Sequence, residues 1–149
     1  RRPCTTASGV YSPPEEQRRI REMQSEMGSL YRDGRYGEAR DLGIECHQLV
    51  LKFFGTTHPV TASAANNLAL MHKSLGEQED AMRLYAEALE AYRAVVGDEH
   101  PSTATAACNL AMLYRDSGEA ERRAEATALL EGALGTRRKL LGDGHVDVA

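Results

Sequence analysis

The chain repeats itself. His58-Pro59-Val60-Thr61-Ala62 returns as His100-Pro101-Ser102-Thr103-Ala104, 42 residues further on. Asn66-Asn67-Leu68-Ala69 returns at the same spacing as Cys108-Asn109-Leu110-Ala111, and Leu75-Gly76-Glu77 as Ser117-Gly118-Glu119. Gly97-Asp98-Glu99-His100 comes back as Gly142-Asp143-Gly144-His145 at a spacing of 45. Three extra residues therefore fall between Gly118 and Ala126, in the charged run Glu121-Arg122-Arg123. Going the other way, Gly34, Ala39, Leu42 and Gly55 precede Gly76, Ala81, Leu84 and Gly97 by 42. Before Gly34, pairing Leu30-Tyr31 with Met71-His72 and Leu113-Tyr114 shortens the spacing to 41, which predicts one residue fewer in the first turn. A period of this length means that each unit is one supersecondary element unable to bury its apolar face alone. Such units stack on their copies.

Each unit reads as two helices. In the second unit Ala62, Ala65, Leu68, Ala69, His72 and Leu75 follow helical spacing, opened by Pro59 and closed before Gly76. Ala81, Leu84, Tyr85, Ala88, Leu89, Tyr92, Val95 and Val96 repeat the pattern up to Gly97, a helix-ending glycine. The third unit keeps it as Ala126, Leu129, Leu130, Ala133, Leu134, Leu140 and Leu141. The first keeps it as Ala39, Leu42, Gly43, Cys46, His47, Val50, Phe53 and Phe54. No strand-like alternation competes, so the fold class is all-α. Small residues (Gly28, Ala69 and Ala111 in the first helices; Ala39, Ala81 and Ala126 in the second) are expected where two helix backbones come close. Cys46 stands where the later units have Ala88 and Ala133, and reads as a small buried hydrophobe.

Composition fits such a stack. The 149 residues are 42% apolar and 27% charged, with 5% aromatics and no Trp, so the core must be built from Ala, Leu, Val, Met and Tyr. A net charge of −4 gives no electrostatic case for nucleic acid. No apolar run approaches the ~20 residues that span a bilayer. Cys4, Cys46 and Cys108 are an odd, widely spaced set, which predicts a reducing intracellular compartment. Residues 1–14 carry arginines, serines and threonines without an acid, and read as an extended or disordered tail, either a linker or the remnant of an organelle transit peptide. The expected organisation is that tail, then units at about 15–57, 58–99 and 100–144, with the start of a fourth from 145. A cytoplasmic setting, cytoskeletal or otherwise, is expected, with mitochondrial as the alternative.

The text from His58-Pro59 to Asn66-Asn67-Leu68-Ala69, with Leu84-Tyr85-Ala86-Glu87-Ala88-Leu89-Glu90 and Gly97-Asp98-Glu99-His100-Pro101, resembles the tetratricopeptide repeat. More narrowly it resembles the 42-residue variety of the kinesin light chain, in which a His-Pro pair opens each unit. The resemblance covers roughly residues 15–149. It departs at Val146, where Pro is expected, at Gly43, which replaces a large residue, and at the insertion. It implies a right-handed α-α superhelix of about three hairpins whose first helices line a concave side, where extended peptides lie. Carried over position by position, that side presents Ser63, Asn66, Asn67, Leu70 and Lys73 in the second unit. The third presents Thr105, Cys108, Asn109, Met112 and Arg115, and the first presents Ser25, Glu26, Ser29 and Arg32. The peptide-binding set expected to matter most is Asn66, Asn67, Lys73, Asn109, Met112, Arg115 and Arg32. Asn offers both a donor and an acceptor, matching the two groups of a peptide unit. The basic residues near the helix ends would favour an acidic partner.

A structural reading stands beside this one. Asn67 and Asn109 could tie neighbouring helices together, and Lys73 and Arg115 could simply be solvated. His58, His100 and His145 mark unit boundaries, one per unit, so a helix-start role is expected rather than a shared metal ion. His72 reads as a core position with a polar tip. No nucleophile motif, paired-carboxylate signature or phosphate-binding glycine loop is present, and no cofactor, metal site or enzymatic activity is expected. The expected function is a scaffold or adaptor for a protein or peptide. The alternative is a structural subunit of a large assembly, docked through an uncovered strip at Leu129, Leu130, Leu140 and Leu141.

Overall fold

The structure is a computed structural model and describes residues 14–142. Six helices follow one another: α1 (Pro14–Arg32), α2 (Tyr36–Phe54), α3 (Pro59–Ser74), α4 (Gln78–Val96), α5 (Pro101–Asp116) and α6 (Ala120–Leu141). There is no strand among the described residues. Each helix packs on its neighbours in sequence, so three hairpins stack as an all-α superhelix. The expected tail, apart from Pro14, and the expected start of a fourth unit with His145 lie outside the described residues.

The local chemistry of the boundaries explains the period. Pro59 and Pro101 open α3 and α5, where a missing N–H costs nothing and the fixed φ suits a helix. Ahead of them His58 and His100 are N-caps, each imidazole Nδ1 accepting from a backbone N–H: Val60 at 3.2 Å and Ser102 at 3.1 Å. That is the helix-start role the sequence predicts for two of the three boundary histidines. Thr61 and Thr103 then donate back to the carbonyls of Gly55 and Gly97, at 2.6 and 2.7 Å. These buried hydroxyls lock each hairpin to the one before it. The glycines closing α2 and α4, Gly55 and Gly97, have φ of +74° and +83°, a region costly for any side chain.

The three inserted residues lengthen α6 rather than a loop: it runs 22 residues against 19 for α2 and α4. The predicted shortening of the first turn is not observed. Gly34 N–H bonds to Tyr31 O and Arg35 N–H to Leu30 O, as Gly76 bonds to Lys73 O and Glu77 to His72 O. The turns match at a spacing of 42, so Leu30 corresponds to His72 and Tyr31 to Lys73. The similarity of Tyr31 and His72 as side chains had suggested the other register; the backbone overrides it.

Two apolar clusters share α3. Ala64 and Met71 face Ile20, Met23, Met27, Cys46 and Val50, whereas Ala65, Leu68 and Ala69 belong with Leu84, Tyr85, Leu89 and Leu110. The alanines at 39, 69, 81, 111 and 126 are all fully or almost fully buried, as close helix approach requires. Gly28 is not such a place: the nearest atom to a Cβ there is Arg32 Nη1 of its own helix, at 3.5 Å. The close approach in the first hairpin is at Gly43, where a Cβ would lie 2.9 Å from Leu68 Cδ1 and 3.4 Å from Met27 Sδ. In the corrected register Met27 takes the place of Ala69, and Gly43 that of Tyr85. The first hairpin has exchanged small-then-large for large-then-small, which conserves volume where helix faces meet. Cys46 is fully buried, and burial pushes its thiol up to about 11. It is an inert packing residue.

Candidate peptide-binding face

The first helices of the hairpins lie side by side. Two side-chain hydrogen bonds show it: Ser74 Oγ of α3 donates to Tyr31 Oη of α1 at 3.2 Å, and Asn109 Nδ2 of α5 donates to Asn66 Oδ1 of α3 at 3.2 Å. Between these bridges α3 leaves Ser63, Asn66, Asn67, Leu70 and Lys73 half-buried, and α5 leaves Thr105, Met112 and Arg115 exposed. Their i, i+3 and i+4 spacing puts them on one stripe of each helix, away from the stripes that pack in the hairpins.

The expected residues divide into four groups. Asn66 and Asn109 are brought together, and their bond consumes the carbonyl of one and an N–H of the other. To that extent they tie the stack, and the Asn66 amide N–H groups and the Asn109 carbonyl lie outside that bond. The repeat alignment pairs Asn109 with Asn67; the molecule pairs it with Asn66. Asn67, Lys73 and Met112 have no hydrogen bond or ion pair among the described residues, and Met112 is 40% exposed. Arg115 is exposed and, among the described residues, paired only with its neighbour Asp116, at 3.2 Å. Arg32 stands apart. The turn register puts Tyr31 at the place of Lys73 and Arg115, and one residue along a helix is a rotation of about 100°. The three basic residues do not form one row, and the first hairpin contributes Tyr31 to this face instead.

Tyr31 is the residue of this face that the sequence concealed. Tyr31 also packs against Tyr36 in a tilted ring pair, centroids 5.1 Å apart, at the edge of the face. Burial of the Tyr92 phenol of α4 raises its pKa, and the nearby Ser63 hydroxyl partly offsets that shift. Beside them Asn66, Tyr92, Pro101, Ser102 and Thr105 surround a shallow hollow of about 190 Å³.

His72 is buried, its Nδ1 2.6 Å from Glu77 Oε2, and Glu77 also accepts from Arg40 at 2.7 Å. It is the core position with a polar tip that the sequence suggests. No group of three or more His, Cys, Asp or Glu side chains that could hold a metal ion occurs among the described residues. No helix among them is long and apolar enough to cross a membrane.

Residues 19–94 and 83–122 match one tetratricopeptide-repeat family model, and residues 103–147 match a second. The chain belongs to the tetratricopeptide repeat family and is, in general terms, a protein-interaction scaffold. Among solved structures it is similar to BtubC (BKLC) from P. vanneervenii, at 27% identity and a TM-score of 0.69, covering 81% of this chain and 46% of that one. It is also similar to the nearly identical TPR-like repeats of a Podosopora anserina protein assigned as a kinesin light chain. That match has 23% identity, a TM-score of 0.75, and covers 87% of this chain and 60% of the other. The chain thus spans less than two thirds of either protein. No curated protein matches it in sequence.

Proposed function

We propose that this chain is a non-enzymatic adaptor that holds an extended, acidic partner segment across α1, α3 and α5, on the concave side of the superhelix. The supporting observation is that the Tyr31–Ser74 and Asn66–Asn109 bridges join three helices into one surface. On it the side chains of Asn67, Lys73 and Met112 have no hydrogen-bond or ion-pair partner among the described residues. Polar groups of both signs can satisfy a peptide backbone, while Lys73 and Arg115 select carboxylates. The cysteine usage and the absence of any reactive constellation support an intracellular binding role.

Peptide arrays graded from Asp/Glu-rich to Lys/Arg-rich test it directly. The wild-type chain should retain acidic peptides, and Lys73→Glu with Arg115→Glu should weaken them by at least about tenfold. Both residues are away from the core, so the thermal melt should not move. If Asn67→Ala with Asn109→Ala leaves peptide affinity intact in a folded protein, the groove reading is wrong.

A second reading, a subunit held in a larger assembly, is favoured by one observation. Leu130, Leu140 and Leu141 of α6 are 38%, 54% and 44% exposed. It predicts self-association or poor solubility relieved by Leu140→Glu, and a freely soluble monomer without that change counts against it.

A further inference from the structure

The register that makes the hairpins copies also makes their differences readable on the outer side, where the second helices follow one another. His47 of α2 corresponds to Leu89 of α4, and Glu87 of α4 corresponds to Gly132 of α6. Between α2 and α4 the gap is spanned by His47 Nε2 and Glu87 Oε1, 2.9 Å apart. At the matching place between α4 and α6 stand an apolar side chain and a glycine. A cleft of about 510 Å³ opens there, floored by Ala104 and Ala107 of α5. A hollow of about 320 Å³ continues it toward the start of α6 and shares Leu89, Arg93, Ala128 and Leu129 with it.

Packing within the chain does not require the glycines. A Cβ at Gly132 or Gly135 meets no atom within 4 Å, and neither residue has a positive φ. In a helix interior each costs roughly 1 kcal/mol relative to Ala. What they leave is open backbone along an apolar trough large enough for the anchoring side chains of a ligand. The rim is charged unevenly: Glu90, Asp98, Glu99 and Glu125 stand against Arg93 and Lys139. Arg93 is already held by Glu90 at 3.1 Å and Asp98 at 2.9 Å, and Lys139 by Glu99. Glu125 has no ion pair among the described residues. The balance over the apolar floor is negative.

We propose that this outer cleft docks a cationic amphipathic segment of a partner protein. Its apolar side chains lie on Leu89, Leu129 and Ala107, and its Lys or Arg residues beside Glu125 and Glu90. An acidic segment would meet like charge here, whereas Lys73 and Arg115 favour one on the other side of the hairpins. The two sites ask for opposite partners.

The probe is a labelled synthetic helix-forming peptide of Leu and Lys, with a Leu and Glu counterpart, titrated by fluorescence anisotropy. The Lys peptide should bind saturably, one per chain, and the Glu peptide should not. Gly132→Leu fills the cleft with a good helix former, so the melt should hold or rise while Lys-peptide affinity falls by about tenfold or more. Glu125→Gln should weaken it less. Undiminished binding to Gly132→Leu would show only general attraction to an acidic chain, and equal binding of both peptides would remove the charge selection; either overturns the proposal. So does loss of binding on Lys73→Glu with Arg115→Glu, which would move the site to the inner face without touching the adaptor reading.

Discussion

The junction between the first and second hairpins and the junction between the second and third are built on one plan with different chemistry. At the first, polar groups are taken partly out of water and matched: His47 to Glu87, and Arg40 and His72 to Glu77. At the second, α4 and α6 are joined at their starts by Arg122 and Glu79, 2.9 Å apart, and near their ends by Lys139 and Glu99. Between those points lies the apolar cleft. The same contrast runs through the core. The position held by Gly43 in α2 and by fully buried Tyr85 in α4 is held in α6 by Leu130, 38% exposed. A repeat specifies where helices go. What joins them is decided residue by residue, and the second junction has kept its surface available.

The comparison breaks most easily at its core. Tyr85→Ala should cost about 3–5 kcal/mol, because it empties the largest fully buried side chain of the second cluster. Leu130→Ala, the same repeat position one hairpin later, should cost under about 1 kcal/mol. Urea unfolding of the two variants checks the pair. Equal losses would mean that Leu130 is covered in solution, and the asymmetry between the hairpins would disappear.

A smaller effect sharpens the polar contrast. The His47 ring, hydrogen-bonded to Glu87, holds that carboxyl below its ordinary 4.5. A lowered folded pKa means that the pair's contribution is fully present above about 4.5 and is lost as pH falls below it. His47→Ala should cost about 1 kcal/mol near neutrality, the low end for a group left unmatched, since Glu87 keeps some access to water. It should also flatten the loss of stability on the acid side. Urea midpoints on either side of pH 4.5 in wild type and variant measure this, and identical acid limbs would refute it.

Much of this is legible in the sequence. Proline, glycine and the His-Pro pair fix helix ends by local covalent and hydrogen-bond rules, so the six helices and their hairpin pairing follow from the text. The alanines at 39, 69, 81, 111 and 126 are buried because nothing larger fits a close crossing. What the text concealed depends on how one helix lies against the next. Asn109 reaches Asn66, one residue away from its aligned counterpart, because the offset between neighbouring helices is set by their crossing and not by the repeat. Arg32 was grouped with Lys73 and Arg115 on the likeness of Tyr31 to His72, and the turn's hydrogen bonds place it about 100° away. Gly28 is expected at a close helix approach and Gly43 is expected only as a departure from a large residue, yet it is Gly43 that meets another helix. The residues proposed to meet a peptide share a stripe with residues that tie the stack, so periodicity alone could not separate Asn67 from Asn109.

The smallest effect belongs to the ion pair that the insertion supplies. Arg122 lies in the extra length of α6 and reaches back to Glu79 of α4, and its hydrogen bond holds that carboxyl below its ordinary value. The guanidinium also lies 3.5 Å from Met82 Sδ, so its stem covers apolar surface at the edge of the junction. Glu79 is exposed, and an exposed pair gives up most of its attraction to solvent and salt. Arg122→Met keeps the stem and removes the charge. It should lower the melting temperature by less than His47→Ala does, and the difference should vanish near 1 M salt, where the screening length falls to about 3 Å. A loss as large as that of His47→Ala, or one that persists in salt, would mean that the two junctions are held with equal strength. The open cleft would then be an incidental gap in a rigid joint.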